Sequence, residues 1–199
     1  MQKKNSEPSG LEQLIKALKD QPEQKAAPVH LWNPDYCGEL DMVIEPDGSW
    51  HYDGTPIGRE KLVRLFATVL KREGESYFLV TPVEKIGITV KDAPFNAVAM
   101  EQKGKGKNQI LSFTTNVGDT VIAGKEHPLR FAKGQKSDDI KPYIMIRAGL
   151  EARLSRPVYY ELANLALDQE TTEKADNSVP ASIGVWSNGV FFPFTTSAS

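Results

Sequence analysis

Apolar positions along the chain recur mostly at period two, in short runs bounded by turn residues, so predicted strands outnumber helices. Helical stripes interrupt that pattern. Leu62, Leu65, Phe66, Val69 and Leu70 step i, i+3, i+4, i+7, i+8 and predict a helix over 56–72. Val158, Leu162 and Leu165 step i, i+4, i+7 behind Pro157 and predict a second helix. Near the start, Ser9-Gly10-Leu11-Glu12 has the form of a capping box and opens a stripe of Leu11, Leu14, Ile15 and Leu18. This predicts a helix over 10–20 that packs on the body of the protein or docks a partner.

The two main helices have similar surroundings. Gly48 and Pro56 are eight residues apart, and so are Gly149 and Pro157. An apolar run precedes each glycine, Leu40 to Ile44 in one case and Tyr143 to Ile146 in the other. Each proline suits a first helical turn, where its missing N–H has no partner to lose. The pattern reads as an internal duplication of a ββαββ unit. Further strands are expected at 39–45, 49–53, 77–81, 86–90, 109–115 and 119–123, with a short edge strand at His127–Phe131. A final hairpin should turn at Ser187-Asn188-Gly189. Residues 134–139 and 169–180 read as polar loops. The fold class is therefore α+β, with antiparallel sheets in two β-rich halves. The expected divisions are 1–29 as a tail with an amphipathic helix, 30–95 as the first half and 96–199 as the second.

Composition excludes more than it selects. The 199 residues can bury a substantial core, and a net charge of −2 gives no global attraction for nucleic acid or an anionic membrane. The first residues lack the apolar core of a signal peptide, and no run approaches a membrane span. A single cysteine, Cys37, fits a reducing cytoplasm.

The stretches GELDMVI, DGSWHYDGTPIGREKLVRLFATVL, YFLVTPVEK, VKDAPF and IRAGLEARLSRPVYYEL together resemble an uncharacterised bacterial family, one of the domains of unknown function, over about residues 30–195. The resemblance implies a two-part α+β protein built by duplication. It also implies a pleckstrin-homology-like second half, a ligand groove between the halves and a role in signal transduction. It implies no particular activity.

Arg147, Glu151, Arg153 and Arg156 form the most informative polar cluster. Glu151 and Arg153 share a strand face, Arg147 lies across the Ala148-Gly149 turn, and Arg156 stands at a helix entrance. Arg59 occupies the matching helix entrance in the first half. Guanidinium forks in such places suit a carboxylate or phosphate, or else an Arg–Glu network beside a sheet. Glu84 and Lys85, in the turn after Thr81, face the same groove if the exit through Asp92 and Phe95 forms it; otherwise they pair in solvent.

Other candidates are weaker. Gly104-Lys105-Gly106-Lys107 lacks phosphate-loop spacing. His30, His51 and His127 are scattered. His51 and Asp53 share a strand face without a third metal ligand, and Cys37 has no base partner. Trp32, Trp50 and Trp186 suit core or interface positions. No catalytic residue, metal or cofactor is assigned. The expected function is a non-enzymatic ligand-binding or sensory module of the cytoplasm, with Arg59, Glu84, Lys85, Arg147, Glu151, Arg153 and Arg156 at the site. The expected partners are an anionic small molecule and a protein, with no nucleic acid and no membrane. The alternatives are an enzyme using Glu84 or Glu151 as general base, and a protein-interaction module. The oligomeric state is not legible.

Overall fold

The computed structural model describes residues 26–134, 140–173 and 183–194. The expected helix over 10–20, the loop at 134–139 beyond Gly134, and the part of the 169–180 loop beyond Glu173 lie outside them. The chain divides into two compact units, Met1–Lys91 and Asp92–Ser199.

The first unit runs β1 (Tyr36–Ile44), β2 (Trp50–Tyr52), β3 (Thr55–Pro56), α1 (Glu60–Thr68), β4 (Leu70–Glu73), β5 (Ser76–Val80) and β6 (Lys85–Val90). Its six strands form one sheet in the order β3-β2-β1-β6-β5-β4. Met42, Ile44, Trp50, Leu70, Leu79, Ile86 and Ile88 bury one face of it with Phe66 of α1. Trp50 lies stacked on Phe66 at 6.1 Å between ring centroids.

The second unit runs β7 (Phe95–Lys103), β8 (Ile110–Thr115), β9 (Thr120–Ile122), β10 (Leu129–Lys133), β11 (Ile140–Arg147), β12 (Leu150–Leu154), α2 (Arg156–Glu173), β13 (Gly184–Ser187) and β14 (Val190–Pro193). Strands β7 to β12 form a sheet in the order β10-β11-β12-β7-β8-β9, while β13 and β14, among the described residues, pair only with each other. Val158, Leu162 and Ala166 make the buried stripe of α2, which packs against β7 and β13. No helix among the described residues is long and apolar enough to cross a membrane.

Two β-rich halves with few helices are thus present, but the sheets are mixed and not wholly antiparallel. In the first unit β1 and β6 pair in parallel, and in the second β7 and β12 do. The reason is topological. Each unit folds as two three-stranded meanders, and the first strand of one meander lies beside the last strand of the other. Numbered from the start of each unit, both sheets have the order 4-5-6-1-2-3.

This repeat runs in a different register from the one read in the sequence. The β1–β2 hairpin corresponds to β7–β8, not to β11–β12. The helix falls between the third and fourth strands of the first unit but after the sixth strand of the second. The ββαββ description also fails in the second unit, because β13 and β14 do not join the main sheet. The prolines differ for the same reason. Pro56 lies on the edge strand β3, opposite His51, whereas Pro157 sits in the first turn of α2. The predicted helix over 56–72 shortens to Glu60–Thr68, because Gly74 adopts φ +61° and turns Leu70–Glu73 back as strand β4 against β5. The predicted loop at 169–180 loses its first part to α2, which continues to Glu173.

Candidate functional site

The polar network of the second unit follows from strand register. Along β11, Pro142, Ile144 and Ile146 point into the core, so Lys141, Tyr143, Met145 and Arg147 occupy the opposite face. Pairing then aligns Arg130, Tyr143, Arg153 and Asn96 across β10, β11, β12 and β7. Glu151 lies on the same face, one pleat along from Arg153.

These side chains are joined. Arg130 grips Glu151 with both arms, Nε to Oε1 at 2.9 Å and Nη2 to Oε2 at 2.7 Å. The same guanidinium lies over the Tyr143 ring, with Cζ 4.4 Å from the centroid. The Tyr143 hydroxyl donates to Asp92 Oδ1 at 2.6 Å, and Arg153 Nη1 donates to Asp92 Oδ2 at 2.9 Å. Lys141 Nζ approaches the same carboxylate oxygen at 3.8 Å. Burial, then the hydrogen bond to Asp92 and the charge of that carboxylate, push the Tyr143 hydroxyl well above the usual tyrosine range. The bond to Glu151 raises the Arg130 guanidinium further.

The cluster read from the sequence divides. Glu151 and Arg153 belong to this network. Arg147 instead donates through Nη1 to Asp119 Oδ2 and lies over Phe95 at 5.0 Å. Arg156 is exposed at the start of α2, where its Nε donates to the Tyr160 hydroxyl at 3.2 Å. The sequence pattern alone does not single out Arg130, Lys141 or Tyr143 as site residues. Their signal was the alternation along β10 and β11, which places them beside Arg153 only once the strands are paired.

In the first unit, Arg59 is the exposed N-cap residue of α1 and contributes no side-chain cap. Glu84 closes a turn in which its N–H donates to Thr81 Oγ1 at 3.1 Å, while Thr81 N–H donates to its carbonyl at 2.8 Å. Lys85 turns away from Glu84 and donates to Glu73 Oε2 at 3.0 Å, above the Phe78 ring at 4.9 Å. Lys71, followed by Lys85, holds the Glu73 carboxyl below its ordinary range.

Both sheets therefore carry an aromatic on the fifth strand with a cation over its ring: Lys85 over Phe78, and Arg130 over Tyr143. Unlike the second unit, the first also has a glycine on this face. Gly87 leaves room for the Glu39 carboxylate, which accepts the Tyr36 hydroxyl.

Ser49 lies between Asp47 and His51 at the β1–β2 turn. Its Oγ donates to Asp47 Oδ1 at 2.6 Å and stands 3.2 Å from His51 Nε2. The one hydroxyl proton is already given to Asp47, so His51 is not placed to take it as a base. The bonds from Ser49 hold the Asp47 carboxyl low, as expected of a turn. Among the described residues no group of three or more His, Cys, Asp or Glu side chains could hold a metal.

Comparison with known proteins gives the family. Residues 27–93 match the model described as Domain of unknown function (DUF1285), N-terminal domain. Residues 94–194 match Protein of unknown function (DUF1285), C-terminal domain. A crystal structure of a DUF1285 family protein from Silicibacter pomeroyi DSS-3 is similar, with 44% identity and a TM-score of 0.81, over 92% of this chain and 94% of that one. Another, from Shewanella baltica OS155, shares 31% identity over 63% of this chain and 92% of its own, with a TM-score of 0.49. No curated protein matches. The chain belongs to the DUF1285 family.

Proposed function

We propose that the chain is a non-enzymatic binding module whose second unit takes an anionic small molecule, a carboxylate or a phosphate ester, on the charged face of its sheet. One observation carries this reading. Three cations, Arg130, Lys141 and Arg153, gather with Tyr143 around only two carboxylates, Asp92 and Glu151, which leaves an excess of one positive charge (3 − 2). Asp92 accepts from Tyr143 and Arg153 in the way a ligand oxyanion would. In this reading it is a built-in stand-in that an incoming anion displaces. Asp92 directly follows Lys91, the last residue of the first unit. Its release would loosen the connecting segment and give a partner protein something to read, a sensory role in the cytoplasm.

The enzyme alternative gains nothing from Glu151, since Arg130 engages both of its oxygens. The repeated strand order supports descent of the two halves from one duplicated unit. A six-stranded sheet followed by a helix is the feature that favours a pleckstrin-homology-like relation for the second half.

The test is native mass spectrometry of gently desalted protein, beside thermal shifts with inorganic phosphate, citrate and adenosine monophosphate. A retained anion, or a melting temperature that climbs with the concentration of one probe, is expected. The effect should vanish in Arg153→Ala. A shift that Arg153→Ala leaves intact, or no shift and no adduct, rejects the site.

A further inference from the structure

We propose that the free edge of strand β9 and the cleft beside it bind an extended peptide by strand addition. The register of β8 and β9 carries the argument. Thr115 N–H donates to Asp119 O at 2.8 Å, and Ala123 N–H donates to Leu111 O at 2.9 Å. With Phe113 opposite Val121, the hydrogen-bonded pairs are 111/123, 113/121 and 115/119. Thr120 and Ile122 lie between these pairs, so their N–H and C=O groups point away from β8. β9 is the last strand of its sheet, and none of these groups has a partner among the described residues.

The open edge adjoins a cleft. Thr120, Val121 and Ile122 line a space of about 590 Å³, bounded also by Lys125, Glu126, His127 and Asn188. That volume is in the range of preformed ligand sites. Its walls are held in place. His127 Nδ1 lies 3.1 Å from the carbonyl oxygen of Met145, which can only accept. Nδ1 therefore carries a proton, and in the neutral form of the ring Nε2 is an acceptor. Asn188 N–H donates to Gln109 O at 2.9 Å. Gly124 lies against Asn188, where a Cβ would stand 3.2 Å from Nδ2. The Ser187 hydroxyl fixes the same turn to β8 and to Ala123 from below.

The chemistry selects the occupant. Outward backbone donors and acceptors repeating every second residue match another extended backbone. A compact small molecule would not match them. Ile122 is 44% exposed on this edge and offers apolar contact to a side chain of the added strand. Lys125, exposed at the cleft, suits an acidic residue, and His127 Nε2 suits a hydroxyl or amide donor. The inferred partner is thus an extended peptide with an acidic residue beside a hydroxyl- or amide-bearing one. This site is separate from the charged face of β10 to β12 and stands or falls without it.

The probe is a phage-displayed library of random linear peptides panned on the full chain, followed by anisotropy with a selected synthetic peptide. Ile122→Pro removes an N–H that takes no part in the β8–β9 ladder and blocks the edge. It should weaken binding at least about tenfold. Lys125→Glu should weaken binding of acidic peptides. Copies of the peptide N-methylated at successive residues test main-chain pairing without altering the protein. Alternate positions should lose binding and the intervening ones keep it. No enriched peptide, equal sensitivity at every N-methyl position, or affinity unchanged by Ile122→Pro would overturn the proposal. Occupancy of the cleft by a small molecule that Ile122→Pro leaves unaffected would overturn it too.

Discussion

Tyr143 gives its hydroxyl proton to Asp92 at 2.6 Å while the Arg130 guanidinium covers its ring at 4.4 Å. Burial, then the bond to the Asp92 carboxylate, make this phenol ionise late, against the opposing pull of the Arg130 charge. Alkaline titration followed by phenolate absorbance should show a tyrosine well above the ordinary range, and Asp92→Asn should bring it down. Tyr36, donating to Glu39, is raised as well, so the comparison needs Tyr143→Phe. The sign for stability follows. The folded value exceeds the unfolded one of about 10, so the contribution is complete below about pH 10 and is lost as pH rises toward the folded value. Tyr143→Phe should be less stable by about 1–2 kcal/mol at neutral pH, with the gap closing above about pH 10.

The fork between Arg130 and Glu151 is asymmetric in burial, with side chains 42% and 16% exposed. Removing the arginine strands a carboxylate that is largely out of water. Removing the carboxylate leaves a guanidinium that can still reach solvent. Arg130→Ala should therefore cost more than Glu151→Gln, about 2 kcal/mol against about 1 kcal/mol in urea unfolding. A double-mutant cycle should give a coupling near 1 kcal/mol that salt weakens, because the pair is partly exposed. Equal costs would mean that Glu151 is better hydrated than its position suggests.

What could be read in the sequence was local. The apolar run Tyr143 to Ile146 and the shared strand face of Glu151 and Arg153 fall on strands β11 and β12, and the stripe of Val158 and Leu162 is the buried face of α2. The Asn188-Gly189 turn was also legible, since both residues take positive φ, as a two-residue hairpin loop of this kind requires. The pairing of β1 with β6 and of β7 with β12 was not legible. Such contacts join strands far apart in sequence, and alternation says which face a residue takes but not which strand lies beside it. The same gap hid the network. Arg130 and Asp92 are distant in sequence from Glu151 and Arg153, and only sheet order brings them together. Leu70 continues the spacing of Leu62 and Phe66, which predicts helix there. The turn at Gly74 overrides that spacing.

Ser187 is fully buried, yet polar. Its Oγ accepts from Leu111 N–H at 3.0 Å and donates to Ala123 O at 2.7 Å. It thereby pins the β13–β14 hairpin to β8 and to the end of β9. Ser187→Ala would leave a buried donor and a buried acceptor without partners, at about 2–4 kcal/mol together. Chemical denaturation should read that loss. Amide exchange should show faster exchange at Leu111 as the specific consequence, whereas a general loosening would speed all of β8 alike.

Two glycines packed against neighbours should respond differently to a methyl group. At Gly184 a Cβ would meet the Phe192 carbonyl oxygen at 2.5 Å and Pro193 Cα at 2.9 Å, both backbone atoms of the paired strand. Backbone cannot turn aside as a side chain can, so Gly184→Ala should splay the hairpin and cost about 1–3 kcal/mol. At Gly87 the obstacle is the Glu39 carboxylate, the far end of an exposed side chain. It can swing into water, giving up its bond with Tyr36. Alanine also reduces the backbone entropy lost on folding, by roughly 0.5–1 kcal/mol. Gly87→Ala should therefore be neutral to within about 0.5 kcal/mol. It should also return the Tyr36 hydroxyl toward its ordinary ionisation, because that shift comes first from the hydrogen bond to Glu39. A large loss of stability at Gly87 would mean that the Glu39 carboxylate is held on the sheet and not merely resting there.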